Sequence, residues 1–360
     1  MPRTFDVAVI AGDGIGPEVT REAIRAVEAA IRGSDAVFKW TEYPWGSDYY
    51  FAHNRMAPLD FLDQLARHDA ILLGAVGHPR VQDHATLNGL LLPIRRRFDQ
   101  CVCVRPAYLY PGVESPLSHK PPGSIDLVVF RENTEGEYAN VGGRLYQGTP
   151  EEVAIQTSVF TRRGCERIIR AAFEKARSRP RKRIASVTKS NAQGYGMVLW
   201  DEVFAAIASE FPEIATESLL VDRAVMDFVR RPEAFDVVVA SNLFGDILTD
   251  LAAILVGSMG LAASANLDPT RRHPSMFEPV HGSAPDIAGL GIANPLAAIL
   301  SAGMMLEHLE LAAAAAAINA AVASLLAGSG PRTADLGGTS TTTEVGTAIV
   351  ERIQSSVARK

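Results

Sequence analysis

Short apolar runs alternate with amphipathic helical stretches along most of the 360 residues, and this alternation limits the chain to an α/β architecture. Strand patterns recur at 5–10, 70–73, 101–104, 127–130, 154–160, 184–188 and 237–240. Helical patterns lie between several of them, at 58–67, 163–177, 197–210 and 246–259. The stretch 132–152 is rich in Gly and Tyr and predicts a hairpin or loop excursion. Near the end, Thr341-Thr342-Thr343-Glu344 has the spacing of a capping box ahead of a last helix.

Composition narrows the function. A hydrophobic content of 47% and a charged content of 21% describe an ordinary globular chain, long enough for two domains. A net charge of −6 argues against nucleic-acid binding through a basic surface. Cys101, Cys103 and Cys165 have neither disulfide-framework nor zinc spacing; buried thiols in a reducing cytoplasm are expected. The start runs straight into a strand, so no signal peptide is expected. The uncharged stretches within 287–306 and 311–330 lack the Leu/Ile/Phe density of membrane spans and predict buried or amphipathic helices.

The strand at 5–10 enters Gly12-Asp13-Gly14-Ile15-Gly16-Pro17, with Pro17 suited to the first turn of a helix. The spacing is not the G-x-G-x-x-G of a Rossmann loop, so a tight turn explains these glycines about as well as a nucleotide does.

Asp246 and Asp250 stand four apart in Ser241-Asn242-Leu243-Phe244-Gly245-Asp246-Ile247-Leu248-Thr249-Asp250, directly after the strand at 237–240. On a helix they share one face. Two like charges on a buried face need a cation, and hard oxygen ligands suit Mg²⁺ or Mn²⁺; a solvated face is the alternative. Arg95, Arg105 and Arg131 each follow a run that should be buried. Singly, each reads as a structural ion pair; together, near a metal, they suit an anionic substrate. Lys189, at a strand end in Thr188-Lys189-Ser190-Asn191, is a candidate general base or a surface lysine. Residues 277–286, Phe-Glu-Pro-Val-His-Gly-Ser-Ala-Pro-Asp, read as a functional loop, with Asn294-Pro295 following.

Taken together these segments resemble the β-decarboxylating dehydrogenases, the family of isocitrate, 3-isopropylmalate, tartrate and D-malate dehydrogenases. The resemblance runs from Gly12–Glu18 to Asp335-Leu336-Gly337-Gly338. Its most specific pieces are Arg131-Glu132-Asn133-Thr134-Glu135-Gly136-Glu137-Tyr138, Thr188–Asn191, Asn242–Asp246 and Glu278–Asp286. It implies a two-lobed, isopropylmalate dehydrogenase-like fold, not a standard Rossmann fold. Residues 1–100 and 257–360 would bind the cofactor, and 101–256 would bind substrate and a second subunit. It places the adenosine of NAD against Glu278, His281, Gly282, Ser283, Ala284, Asp286 and Asn294. Asp286, where NADP-using members look different, would favour NAD by repelling a 2′-phosphate. The resemblance assigns Arg95, Arg105 and Arg131 to substrate carboxylates. Asp246 and Asp250 become metal ligands from one subunit and Asp222 from the other. Lys189 also reaches across a homodimer, and Tyr138 sits near the carbon that loses CO₂.

Phrases such as Trp45-Gly46-Ser47, Gly74-Ala75-Val76-Gly77 and Pro274-Ser275-Met276-Phe277 are most similar to the tartrate and D-malate subgroup. One position departs from it: Asn88 stands where that subgroup usually has tryptophan, ahead of Arg95. The expectation is NAD- and metal-dependent oxidative decarboxylation of a small 2-hydroxy dicarboxylate, D-malate or tartrate. An alternative within the family is 3-isopropylmalate, with Leu91 and Leu92 lining its apolar pocket. A non-catalytic regulatory subunit is the alternative from another class, and intact Lys189, Tyr138 and the three aspartates argue against it.

Overall fold

The computed structural model describes residues 3–357. The strands are, in chain order, β1 (Arg3–Gly12), β2 (Ala36–Glu42), β3 (Ala70–Ala75), β4 (Val102–Tyr108), β5 (Asp126–Glu132), β6 (Gly142–Leu145), β7 (Val153–Gln156), β8 (Arg183–Thr188), β9 (Ala215–Leu220), β10 (Val237–Ala240), β11 (Ala263–Leu267) and β12 (Ser275–Pro279). The helices are α1 (Gly16–Ala30), α2 (Ser47–His53), α3 (Phe61–Leu65), α4 (Asp83–Thr86), α5 (Leu92–Arg97), α6 (Arg162–Ser178), α7 (Gly196–Ala208), α8 (Val221–Arg230), α9 (Asn242–Leu255), α10 (Leu296–His308), α11 (Ala312–Ala327) and α12 (Thr342–Val357). A π-helical turn, Leu87–Leu91, joins α4 to α5.

Within the described residues the chain forms two compact units: 3–100, 105–125 and 252–357, and 101–104 with 126–251. The boundaries expected from the resemblance put 105–125 and 252–256 in the second unit; by packing they group with the first.

In the first unit the strand order is β2-β1-β3-β12-β11, parallel except for the antiparallel pair β11–β12. Val7, Ala8, Val9 and Ile10 are all buried, as an unbroken apolar run in a parallel strand covered on both faces should be. The outer strand β2 alternates instead, with Val37 exposed and Phe38 buried. Helix α1 buries its Val19–Ala23–Ala26–Val27 stripe. Each large aliphatic or aromatic side chain in this core is worth about 1.5–3 kcal/mol of burial. The capping box forms as its spacing predicts: Thr341 N donates to Glu344 Oε2 (2.8 Å), and Glu344 N donates back to Thr341 Oγ1 (3.2 Å). Because β1 lies between β2 and β3, the strand order reverses around it, and its carboxyl end is where such a sheet opens a crevice.

In the second unit β5-β10-β8-β9 are all parallel. Helix α6 is capped by Thr161, whose Oγ1 accepts from Gly164 N, and packs Phe173 against Phe204 and Phe211. The excursion expected at 132–152 contains the antiparallel hairpin β6–β7, which runs on to Gln156. Every residue of its two strands is exposed.

Two helix expectations are corrected. Of 287–306, only the part from Leu296 on is helical; Gly289 and Gly291 adopt positive φ and break the pattern before it. The helix expected over 246–259 runs from Asn242 to Leu255, and a separate 3-10 turn holds 259–261.

Candidate active site

In the second unit the motif residues converge on the first turns of α9. Arg131, at the end of β5, is buried. It donates through Nε and Nη2 to Asn242 Oδ1 (3.0 and 2.7 Å) and through Nη1 to Asp246 Oδ1. Tyr138 OH donates to the other oxygen, Asp246 Oδ2 (2.8 Å), and its ring lies under the Arg131 guanidinium at 5.2 Å. Gly245 is what lets the arginine in: a Cβ there would stand 2.7 Å from both Arg131 Cβ and Cγ. Glu137 caps α9, accepting from Ser241 Oγ (2.8 Å) and Leu243 N (3.1 Å), which places negative charge at a helix N-terminus. Behind them Glu132 is buried, and burial raises its pKa although the N–H groups of Thr134 and Glu135 donate to it.

Asp250 follows Asp246 by about one turn. The expectation that this face is buried is corrected: Asp246 is half-buried and Asp250 exposed. At 100° per residue Asp250 shares its stripe with Leu243, Ile247 and Ile254, all exposed in the single chain. The period named which side chains share a face, but this chain does not cover that face. Helix α8 likewise exposes Met226 and Val229 on the side of Asp222. Asp222 pairs with Lys189 Nζ, and that contact lowers its pKa. The structure therefore brings Arg131, Tyr138 and Asp246 together and, separately, Lys189 and Asp222. Among the described residues no three His, Cys, Asp or Glu side chains gather as a metal cage within one chain.

In the first unit, Arg95 is buried and its Nη2 donates to Glu278 Oε1 (2.8 Å), which also accepts from Asn266 Nδ2 (2.9 Å). Arg105 is buried on β4. Asn88 is exposed in the π-helical turn, its Nδ2 donating to His84 O (2.9 Å). Leu91 and Leu92 are buried, and Leu91 belongs to the core with Ile94, Phe98 and Trp45. The loop after β12 packs on the glycine loop after β1. Ile15 N donates to Ser283 O (2.8 Å), and that carbonyl would lie 1.9 Å from any Cβ on Gly14, which also has φ +59°. Asp13 fastens the loop from the other side, accepting from Ser47 N (2.7 Å), Ser47 Oγ (2.7 Å) and Gly77 N (2.8 Å). Ala284 holds φ +40°, strain of the sort kept at binding loops. Gly282 and Asp286 are exposed, and Asn294 is buried beside Asp335.

The expected site residues omitted Asn242, Glu137, Asp13 and Asp335. Each lies inside one of the family-like motifs, and that position is the signal the sequence offers for it.

The sequence model of isocitrate/isopropylmalate dehydrogenases matches residues 6–349. The chain belongs to this family. It is therefore an oxidoreductase acting on a CH–OH group. It is 51% identical over 360 aligned positions to D-malate dehydrogenase (decarboxylating) of Escherichia coli K12, covering 98% of this chain and 99% of that one. It is 49% identical over 355 positions to a probable tartrate dehydrogenase/decarboxylase of Agrobacterium vitis, covering 98% and 99%. The crystal structure of an isocitrate dehydrogenase from Methylococcus capsulatus superposes with a TM-score of 0.87 at 35% identity, covering 97% of this chain and 99% of that chain. The α/β fold read from the sequence is thus the family fold.

Proposed function

We propose that this dehydrogenase oxidises the C2 hydroxyl of D-malate or a tartrate with NAD and a divalent metal, and that the C3 carboxylate leaves as CO₂. The observation that carries the reading is the Arg131–Asp246–Tyr138 contact, with Asp250 one turn on. It sets a buried cation, a phenol and hard oxygen donors at one place.

The donor chemistry fits Mg²⁺ or Mn²⁺ at Asp246 and Asp250, with Asp222 supplied by a second subunit. The first unit's loops fit a nucleotide: His281 Nε2 is buried with no partner, and Gly282 leaves open space. When bound, the metal supplies Lewis-acid stabilisation of negative charge, and NAD accepts the hydride. Arg95, Arg105 and Arg131 hold the substrate carboxylates. Lys189 removes the hydroxyl proton, and Tyr138 returns a proton to carbon after CO₂ departs, directly or through water. Asp286 favours NAD over NADP. The first unit carries the cofactor loops together with Arg95 and Arg105, and the second carries Arg131, the catalytic residues and the dimer contact.

The homodimer is supported by the open apolar stripe Leu243–Ile247–Ile254, by Met226 and Val229, and by the hairpin β6–β7, whose Leu145, Val153 and Ile155 are exposed in the single chain. An isolated two-stranded hairpin is marginal alone, and contiguous apolar surface marks an interface. The test is an initial-rate panel of D-malate, both tartrates, 3-isopropylmalate and isocitrate with NAD and Mn²⁺. The highest kcat/KM should fall on D-malate or a tartrate. Turnover of 3-isopropylmalate alone would overturn the substrate.

A further inference from the structure

The turn Gly136–Ala139 sets two neighbouring side chains on α9. Ala139 N closes it by donating to Gly136 O (3.2 Å). Gly136, at φ +69°, is tied to Val159 by two backbone bonds, Gly136 N to Val159 O (2.8 Å) and Val159 N to Gly136 O (3.0 Å). Glu137 and Tyr138 are the central residues of the turn, and both are half-buried. Glu137 holds the start of the helix, with Oε1 accepting from Ser241 Oγ (2.8 Å) and Oε2 from Leu243 N (3.1 Å). Tyr138 holds the next turn, with OH donating to Asp246 Oδ2 (2.8 Å).

The spacings match. Leu243 and Asp246 are three residues apart, a rise of about 4.5 Å along a helix. Consecutive Cα atoms in the turn are about 3.8 Å apart. One step along the turn therefore follows the helix from the first grip to the second. The anchor is firm, because Ser241 and Asn242 are buried and Asn242 Nδ2 donates to Glu135 O (3.2 Å), just ahead of the turn. Capping alone does not explain the carboxylate. Ser241 stands directly before the helix, where a serine ordinarily accepts from the second or third helical N–H itself. Here Ser241 donates to Glu137, and the second helical N–H, that of Leu243, goes to Glu137 as well.

We propose that Glu137 is a positioning residue for the return of the proton to carbon: by clasping Ser241 and Leu243 it sets the Tyr138 hydroxyl in register with Asp246, and so aims it at the carbon that has lost CO₂. This rests on the reading that Tyr138 returns that proton. In that step the enolate oxygen closes to a carbonyl, the C2–C3 π pair takes the Tyr138 proton at C3, and water reprotonates the phenolate.

The step can be read by itself, as exchange of the methyl protons of pyruvate with D₂O, followed by NMR with Mn²⁺ and NADH present and CO₂ excluded. It is measured for wild type, Glu137→Ala, Glu137→Gln, Tyr138→Phe and the double variant Glu137→Ala/Tyr138→Phe. KM for D-malate and calorimetric affinity for Mn²⁺ are measured alongside. If only a tartrate is turned over, hydroxypyruvate takes the place of pyruvate. Glu137→Ala should exchange about a hundredfold more slowly than wild type, the scale of a reacting group misplaced by about 1 Å. KM and Mn²⁺ affinity should stay within about threefold. Glu137→Gln should recover to within about fivefold of wild type, since its amide can accept from Leu243 N and donate to Ser241 Oγ. The double variant should be no slower than Tyr138→Phe, because a residue that acts through the phenol has nothing left to position. Exchange at the wild-type rate in Glu137→Ala overturns the inference. So do losses that multiply in the double variant, or a loss of Mn²⁺ and D-malate binding as large as the loss of exchange, the marks of a merely structural cap. Should Glu137→Ala not fold, Glu137→Asp, one methylene shorter, carries the same expectations. A wild type that turns over D-malate without exchanging pyruvate overturns the role of Tyr138 and the inference with it. A wild type that turns over neither D-malate nor a tartrate overturns the proposed function itself.

Discussion

The two units deal with their difficult surface in opposite ways. In the first, buried polar groups end on one another: Arg95 on Glu278, Asp13 on Ser47 and Gly77, Asn294 on Asp335. In the second, Leu243, Ile247, Met226 and the hairpin side chains stay open, and Asp222 stands exposed beside Lys189. A loop braced within its own unit can be preformed for a ligand. An uncovered apolar stripe flanking a carboxylate calls for a second surface. On the function proposed here, one chain carries a finished nucleotide site and an unfinished catalytic one, and each substitution below should touch one property and spare the other.

The largest effect is expected at Asp246. Asp246→Asn keeps one carbonyl oxygen as acceptor for Arg131 and turns an N–H toward Tyr138, whose hydroxyl can accept it, but removes the charge, so the buried guanidinium stays hydrogen-bonded. Turnover should fall by about two to three orders of magnitude, the scale of losing a preorganised charge at the reacting centre. Affinity for ADP-ribose should hold. Exhaustive chelation of wild type should do the same, and full activity after chelation would remove the metal from the account. Next is Ile247→Glu, which sets a charge in the apolar stripe. Sedimentation should then show a monomer with little turnover, again with ADP-ribose bound normally; an active monomer would break the contrast between the units. Third, kcat/KM with NAD should exceed that with NADP by about two orders of magnitude, because an exposed carboxylate at Asp286 opposes a 2′-phosphate. Equal values would release Asp286 from that role. The smallest effect concerns Asn88. Asn88→Trp should shift the ranking toward D-malate and away from bulkier 3-substituted malates by about tenfold, the scale of filling or emptying a pocket by a few atoms. An unchanged ranking would show that the π-helical turn does not read the substituent.

How much of this was legible in the sequence follows from what periodicity can and cannot encode. The continuous apolar runs of β1, β3, β5, β8 and β10 sit where they were expected, because burial on both faces leaves that signature. The edge strand β2 and the pair β11–β12 did not stand out. The first alternates, and the second carries buried polar residues, Ser264, Asn266 and Ser275, that only the folded network satisfies. On α9 the spacing put Asp246 and Asp250 together correctly, while burial was misjudged. A helical stripe looks the same whether its own chain or another covers it. Arg131 was legible as a guanidinium needing a carboxylate, and it has one in Asp246. Asp335 was not, because its partner Asn294 lies 41 residues away and nothing local in either segment announces the bond.

The most direct test of the account is complementation between two inactive proteins. Lys189→Ala and Asp246→Asn are each purified, mixed under conditions of subunit exchange, and assayed with D-malate, NAD and Mn²⁺. In a mixed dimer one site has Asp246 from the first chain and Lys189 from the second. With half the dimers mixed and one sound site in two, roughly a quarter of wild-type activity should return. Heterodimers shown to have formed, yet without activity, would contradict the claim that the second unit's site is completed by a partner chain.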